Sequence, residues 1–218
     1  MTSCDLVLPC RDEAAALRGL LVRVPASLSV IVVDNGSTDG TAEVARGLGA
    51  RVVTEPVPGY GAAVHAGVAA SAADLVAVMD GDGSLDPVDV LPLVACVARG
   101  GATLAVGRRR PVAAAGWPWH ARLGNAMALR QLRRRTGLRL SDIGPVRVCP
   151  RADLLRLGVT DRRSGYPVEL LLRAAQAGWE VAELDVAYHP RAAGTRSKVS
   201  GSVPGTLRAA LDFARVLS

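Results

Sequence analysis

Half of the 218 residues are hydrophobic, enough to bury a full core in one domain of ordinary size without disulfides or a structural metal. The net charge of +6 is unevenly spread: residues 1–105 hold 6 Arg against 12 Asp and Glu, whereas residues 106–218 hold 20 basic against 8 acidic residues. That split excludes a uniformly basic nucleic-acid binder, and aromatics at 3% supply no stacking platform for single strands.

Along the chain, Cys4 to Leu8 reads as a strand ended by Pro9, and Ala14 to Val24 as a helix with Asp12 and Glu13 suited to its first turn. Ser29 to Val33 is a second strand, closed by the turn cluster Asp34-Asn35-Gly36-Ser37-Thr38-Asp39-Gly40. A helix (41–48), a strand (50–54), a helix (59–70) and a strand (75–79) follow. Then come a helix (87–98), with Asp86 as its cap and Pro87 in its first turn, and a fifth strand (103–106). Strand and helix alternating at this rhythm predict an α/β fold with a mostly parallel central sheet and helices on both faces. Ligands of such sheets sit outside the carboxyl ends of the strands, where the polar turns after the first, second and fourth strands must lie.

The second half is less regular. A basic helix (121–135), a strand (146–148), helices over 151–157 and 168–177, a strand (181–187) and a last helix (206–217) are expected. Residues 189–205, rich in Gly, Ser and Arg, show no apolar periodicity and read as a mobile loop. No linker divides the chain, so residues 1–218 are expected to form one domain. The four cysteines are widely spaced without a CxxC pair, which suits reduced thiols in a cytoplasmic protein rather than a zinc site. Asp5 and Pro9 interrupt the N-terminal apolar run, so export is not expected, and no 18-residue apolar stretch occurs.

Three constellations carry chemistry. In Met79-Asp80-Gly81-Asp82-Gly83-Ser84, two carboxylates one residue apart follow a buried strand, a hard-oxygen pair suited to Mg²⁺ or Mn²⁺ bound together with substrate phosphates. The same residues also suit a solvated acidic turn. In the cluster from Val33 to Thr41, Asp34 at the strand end can accept hydrogen bonds from a base or ribose, while Ser37, Thr38 or Asp39 caps the next helix. In Pro58 to Gly67, Gly59 and Gly61 open a helix whose N-terminus can face an anion. His65 in that helix reads as an ordinary face residue.

Taken together with Leu8-Pro9-Cys10-Arg11-Asp12-Glu13, these motifs resemble, in order, those of family 2 glycosyltransferases with the GT-A fold. Gly107-Arg108-Arg109 is similar to that family's Gly-x-Arg, and Ser141 to Arg147 to its Asp-x-x-Gly-x-x-Arg. Gly165-Tyr166-Pro167-Val168-Glu169 matches a Gly-aromatic-x-Val-Glu segment, and the stretch from Arg191 to Gly201 ends in Ser-Lys-x-Ser-Gly. The branch resembled is that of the dolichyl- and polyprenyl-phosphate mannosyltransferases, with Asn35 and Ser84 as departures.

The resemblance implies a nucleotide-sugar half (1–106) and an acceptor half (107–218). Pro9, Arg11, Glu13 and Asp34 would hold base and ribose, and the DxD pair Asp80 and Asp82 the divalent cation. Arg109, Arg147, Arg191, Arg196 and Lys198 would meet the donor diphosphate or an anionic acceptor, the last three from a lid. A polyprenyl phosphate is ionised near neutral pH and needs no strong base, whereas a hydroxyl acceptor does, with Asp142 and Glu169 as candidates. The expectation is a metal-dependent inverting glycosyltransferase using GDP-mannose or UDP-glucose and a polyprenyl-phosphate acceptor, cytoplasmic or peripheral at the inner membrane face through Arg-rich surface and Trp117 and Trp119. The alternatives are a soluble hydroxyl acceptor, or a non-catalytic nucleotide-sugar-binding protein. Nucleic acid is not an expected partner.

Overall fold

The computed structural model describes residues 2–112, 119–191 and 203–217. Seven strands form one sheet: β1 (Cys4–Cys10), β2 (Ser29–Asp34), β3 (Arg51–Thr54), β4 (Leu75–Met79), β5 (Leu104–Pro111), β6 (Val146–Pro150) and β7 (Val181–Tyr188). All five positions of β4 are buried, as expected of a strand covered on both faces. The order is β3-β2-β1-β4-β6-β5-β7, with β6 antiparallel to both neighbours and every other pairing parallel.

The helices are α1 (Ala14–Leu20), α2 (Thr41–Gly47), α3 (Tyr60–Ala70), α4 (Val90–Ala98), α5 (Trp119–Thr136), α6 (Arg151–Leu157), α7 (Tyr166–Gln176) and α8 (Val203–Val216). Side chains alternate across each strand, so β1 feeds two cores. Val7 packs with Val64 and Val68 of α3 and with Leu170 and Leu171 of α7 on one face. Leu6 and Leu8 pack with Leu17 and Leu20 of α1 and Val90 and Leu93 of α4 on the other. Gly67 lets α3 lie close against the sheet, because a Cβ there would stand 2.4 Å from a Val7 methyl.

Element boundaries moved where local chemistry intervened. The first helix stops at Leu20 and passes into a 3-10 turn over Leu21–Arg23, not continuing to Val24 as expected. Val24 is extended, the conformation that the following Pro25 imposes. The helix expected from residue 87 opens with a 3-10 turn over Pro87–Asp89, capped as predicted by Asp86, whose carboxylate accepts the Val88 N–H at 3.0 Å. β5 runs five residues past its expected end because β7 pairs beside it, with Asp185 bridging Arg108 and Arg110 on the exposed face.

Two features of this topology position a site. The chain steps outward from β1 to β2 and β3, then returns to the other side of β1 with β4, leaving a crevice at the carboxyl ends of β1 and β4. The reversed strand β6 starts at that same edge, where Val146 lies opposite Met79 and Arg147 opposite Val78.

Candidate active site

A cavity of about 590 Å³ occupies this crevice, within the range of small-ligand sites. Its lining includes Pro9 and Cys10 at the end of β1, Arg11 and Glu13 after it, Asp80 and Asp82 after β4, Arg109 on β5, Arg147 on β6, Tyr188 at the end of β7 and Arg191 after it. Residues dispersed over nearly the whole sequence meet here because their strands end on one edge.

The β1–α1 turn and the loop after β2 brace each other. The N–H groups of Asp12, Glu13 and Ala14 donate to Ser37, Thr41 and Asp39 at 3.0, 2.9 and 3.0 Å. In return Asp12, held at a φ of +52°, accepts the Thr38 N–H at 2.8 Å. Asp39 serves both helices, taking Ala14 of α1 and Thr41 of α2. Burial pushes its carboxyl upward, but the hydrogen bonds from Thr41 and Ala14 outweigh this and hold it below the usual range. Asp34, expected in the cavity, instead receives the Ser37 N–H at 3.0 Å and does not line it; the next residue, Asn35, does. Asn35 donates to the Glu55 and Val57 carbonyls, both at 2.8 Å, and accepts the Gly59 N–H at 2.8 Å. An aspartate could not make the two donations. The motif departure thus has a structural use: it fixes the loop that leads to α3.

Gly59 and Gly61 act differently from the expectation. The N–H groups of Gly61 and Ala62 are taken by the Arg163 and Arg162 carbonyls at 3.0 and 2.9 Å, so this helix start has no open N–H pair to offer an anion. Gly59 (φ +153°) lines the cavity and Gly61 does not. Both are glycine because the 161–163 segment crosses so closely that a Cβ would lie 2.1 Å from the Arg162 oxygen at Gly59 and 2.5 Å from the Asp161 oxygen at Gly61.

Asp80 and Asp82 face the cavity together. Burial, and then the Asp82 charge, push the Asp80 carboxyl up to about 6 against the pull of Arg147, Arg109 and Arg191. Asp82 accepts the Ser84 N–H at 3.0 Å and hydroxyl at 2.6 Å on one oxygen, and pairs with Arg191 through the other. Two carboxylates held together at such an electrostatic cost fit a divalent cation. Among the described residues no group of three or more His, Cys, Asp or Glu side chains could hold one. A cation here would therefore draw its remaining ligands from a bound diphosphate and water.

Arg147 is 5% exposed and emerges between the two halves. It donates to the Gly144 carbonyl and, at 3.3 Å, to the Tyr60 hydroxyl, which burial pushes up to about 12. Its Nε is buried and has no hydrogen-bond partner, an uncompensated donor inside the fold. Arg109 lies 5.7 Å from the centre of the Tyr188 ring and clasps Asp142 with two side-chain bonds of 2.8 and 2.6 Å.

Neither expected base is available to take a proton. Asp142, 1% exposed, accepts those two bonds together with the N–H groups of Arg109 (3.0 Å) and Gly144 (3.1 Å). Glu169 stands away from the cavity and receives Thr160 N–H and hydroxyl, Asp161 N–H and Arg173 Nε at 3.0, 2.9, 2.6 and 2.6 Å. Against the upward push of its burial, these bonds hold it ionised, below the usual carboxylate range. Arg196 and Lys198 lie outside the described residues, as do Trp117 and most of the expected loop.

The sequence reading missed Tyr60, Asn35, Tyr188 and Asp212. Asp212, on α8, is buried at the cavity wall with Arg163 3.5 Å away. Tyr60 and Asn35 fell inside motifs already noted; nothing local marks Tyr188 or Asp212, which only the fold brings to the cavity.

Residues 5–155 match the family model described as "Glycosyl transferase family 2". An uncharacterised glycosyltransferase of Mycobacterium tuberculosis is 55% identical over 213 residues, covering 98% of this chain and 97% of the relative. A dolichyl-phosphate hexose transferase of Haloferax volcanii is 30% identical over 194 residues, 88% of this chain and 85% of the relative. Among solved structures, glucosyl-3-phosphoglycerate synthase of M. tuberculosis, in complex with Mn²⁺, UDP and glucosyl-3-phosphoglycerate, superposes with a TM-score of 0.79 at 21% identity. That match covers 99% of this chain and 78% of the other.

Proposed function

Because the chain belongs to glycosyl transferase family 2 and has the GT-A fold, we propose that it moves a hexosyl group from a nucleoside-diphosphate sugar, of the GDP-mannose or UDP-glucose type, to a polyprenyl phosphate. The carrying observation is the balance of charges: Asp142 is locked to Arg109 and Glu169 to its own four donors, while Arg109, Arg147 and Arg191 all line the cavity. A site with that balance suits an acceptor that brings its own negative charge. The 30% identical dolichyl-phosphate hexose transferase supports the same acceptor class.

In this reading, residues 1–218 form one domain. The β1, β2 and β4 edge, with Pro9, Arg11, Glu13, Asp34 nearby, Gly59 and Asp80, holds the donor, and residues beyond 107 hold the acceptor. An acceptor phosphate oxygen forms a bond to the anomeric carbon from the face opposite the diphosphate. The bond from that carbon to the diphosphate oxygen breaks, and the nucleoside diphosphate departs with the electron pair, inverting the configuration. Arg109, Arg147 and Arg191 line the cavity and would meet the charge that develops on the leaving diphosphate. Asp80 and Asp82 would hold a Mg²⁺ or Mn²⁺, which when bound would neutralise part of the diphosphate charge; the Mn²⁺ complex of the structurally similar synthase supports a divalent ion. Arg196 and Lys198 would add positive charge from the segment after Arg191. No helix among the described residues is long and apolar enough to cross a membrane. Placement at a membrane surface would bring a lipid-linked acceptor to the site.

A second reading, transfer to a hydroxyl of a soluble phosphorylated acceptor, rests on Asp212 as the base at the cavity wall and on the fold shared with the phosphoglycerate enzyme. Calorimetry with UDP and GDP, with and without Mn²⁺, tests the donor half: one base binds in a metal-dependent manner and Asp80→Ala/Asp82→Ala abolishes it. Incubating the matching sugar nucleotide, UDP-glucose or GDP-mannose, with a short-chain polyprenyl phosphate and with 3-phosphoglycerate then separates the acceptors. Glycosylation of phosphoglycerate alone overturns the first reading. Metal-dependent binding without transfer to any acceptor overturns both in favour of a nucleotide-sugar-binding protein.

A further inference from the structure

We propose that the outer face of α5, with the neighbouring turn of α8, is a docking surface for an anionic lipid bilayer. The inference rests on the polyprenyl-phosphate reading and gives that acceptor its direction of approach. Helices α5 and α8 pack together and form one wall of the cavity: Ala121, Gly124 and Asn125 come from α5, and Ala209, Ala210 and Phe213 from α8. The side chains of this wall are mostly apolar, with Asn125 and Asp212 as its polar members.

The reverse side of the same helix is apolar where a soluble surface would be polar. Trp119, Leu123 and Met127 are 74%, 53% and 64% exposed and recur every four residues, so they form one stripe along two turns. Leu211 on α8, beside the lining residue Ala210, is 61% exposed as well. The stripe continues into charge, because Arg130 and Arg134 occupy the same side of the helix one and two turns further on, flanked by Arg133, and all three are exposed. Between residues 119 and 136 there are five Arg and no Asp or Glu.

This layout suits a helix lying in a membrane interface: Trp, Leu and Met enter the headgroup boundary and Arg meets anionic headgroups. The apolar turns are those nearest the cavity and the basic turns those furthest from it. A bilayer contacting the stripe would therefore meet the α5/α8 rim, across which a prenyl chain could pass while its phosphate reaches the Arg147 side of the crevice.

Sedimentation of the full chain with vesicles of phosphatidylcholine alone, and with added phosphatidylglycerol, tests this. The expected result is binding to the anionic vesicles that weakens as salt rises. Trp119→Gln/Leu123→Gln/Met127→Gln and, separately, Arg130→Gln/Arg133→Gln/Arg134→Gln should each lower the partition coefficient by about tenfold or more. Thermal melting should be unchanged, since all six side chains are exposed. Quenching of tryptophan fluorescence by brominated lipid should fall in Trp119→Phe. No binding to either vesicle, or binding that both triple variants retain, overturns the proposal. So does a wild-type dimer that the apolar triple variant dissociates without any lipid binding, which would assign the face to a second copy of the chain. Turnover of a water-soluble short prenyl phosphate keeps the two readings apart. It should persist in the apolar triple variant; its absence from the wild type overturns the acceptor assignment whatever the vesicles show.

Discussion

Burial and the adjacent Asp82 charge lift the Asp80 carboxyl to about 6, so ionising it in the folded, metal-free protein costs more than in the unfolded chain. A folded pKa above the unfolded value favours the folded state at low pH. That contribution is complete below about 4 and is lost as pH rises through about 6. Asp80→Asn should therefore raise the melting temperature of metal-free protein at pH 7.5 by about 2–4 °C per kcal/mol relieved, while lowering transfer by about a hundredfold or more. Scanning calorimetry and an initial-rate assay check the two signs; Mn²⁺ should stabilise the wild type and not the variant. Arg191 supplies a second prediction, because its guanidinium occupies the Asp82 oxygen that Ser84 leaves. Arg191→Ala should tighten Mn²⁺ binding severalfold in the absence of donor, yet slow turnover, since in the proposed reaction its charge would meet the leaving diphosphate. Isothermal titration with Mn²⁺ alone reads the first effect without reference to activity.

Between strands and helices, the site depends on loops that hold one another. The β2–α2 loop caps the start of α1, and Asn35 ties the end of β2 to the loop before α3. Asn35→Asp should place a carboxylate against two carbonyls and cost about 2–3 kcal/mol, measured by urea denaturation, with weaker nucleotide binding as Gly59 shifts. This level was only partly legible in the sequence. Turn composition marked the loops, and apolar runs marked every strand. Asp39 was expected at the start of α2 and bonds Thr41 there, but its part, with Ser37 and Thr41, in holding the start of α1 was not foreseen, because those partners lie 25–28 residues apart in the chain, beyond any local pattern. The helix start at Gly59 and Gly61 looked open for the same reason, since the segment that closes it comes from residues 161–163.

At the scale of the whole molecule, β6 from the second half lies between β4 and β5 from the first. The first 112 residues alone would leave β4 and β5 without the strand that joins them, and long-range pairing of this kind is made only when the full chain is present. A fragment of residues 1–112 should accordingly lack a cooperative melt by circular dichroism, whereas the full chain shows one. The same insertion delivers Arg147 to the carboxyl end of β4, so the two halves that differ in charge share one crevice. The sequence by itself determined the α/β class and that Asp80 and Asp82 follow a buried strand at the carboxyl edge of the sheet, because buried-strand runs and turn residues are encoded by near neighbours. Only the tertiary structure decided that Asp142 is locked by Arg109, that Glu169 stands away from the cavity, and that Tyr60, Tyr188 and Asp212 join it. Whether a carboxylate is free or saturated depends on which charges the fold brings within hydrogen-bond reach, and those partners come from strands and helices far apart in the chain.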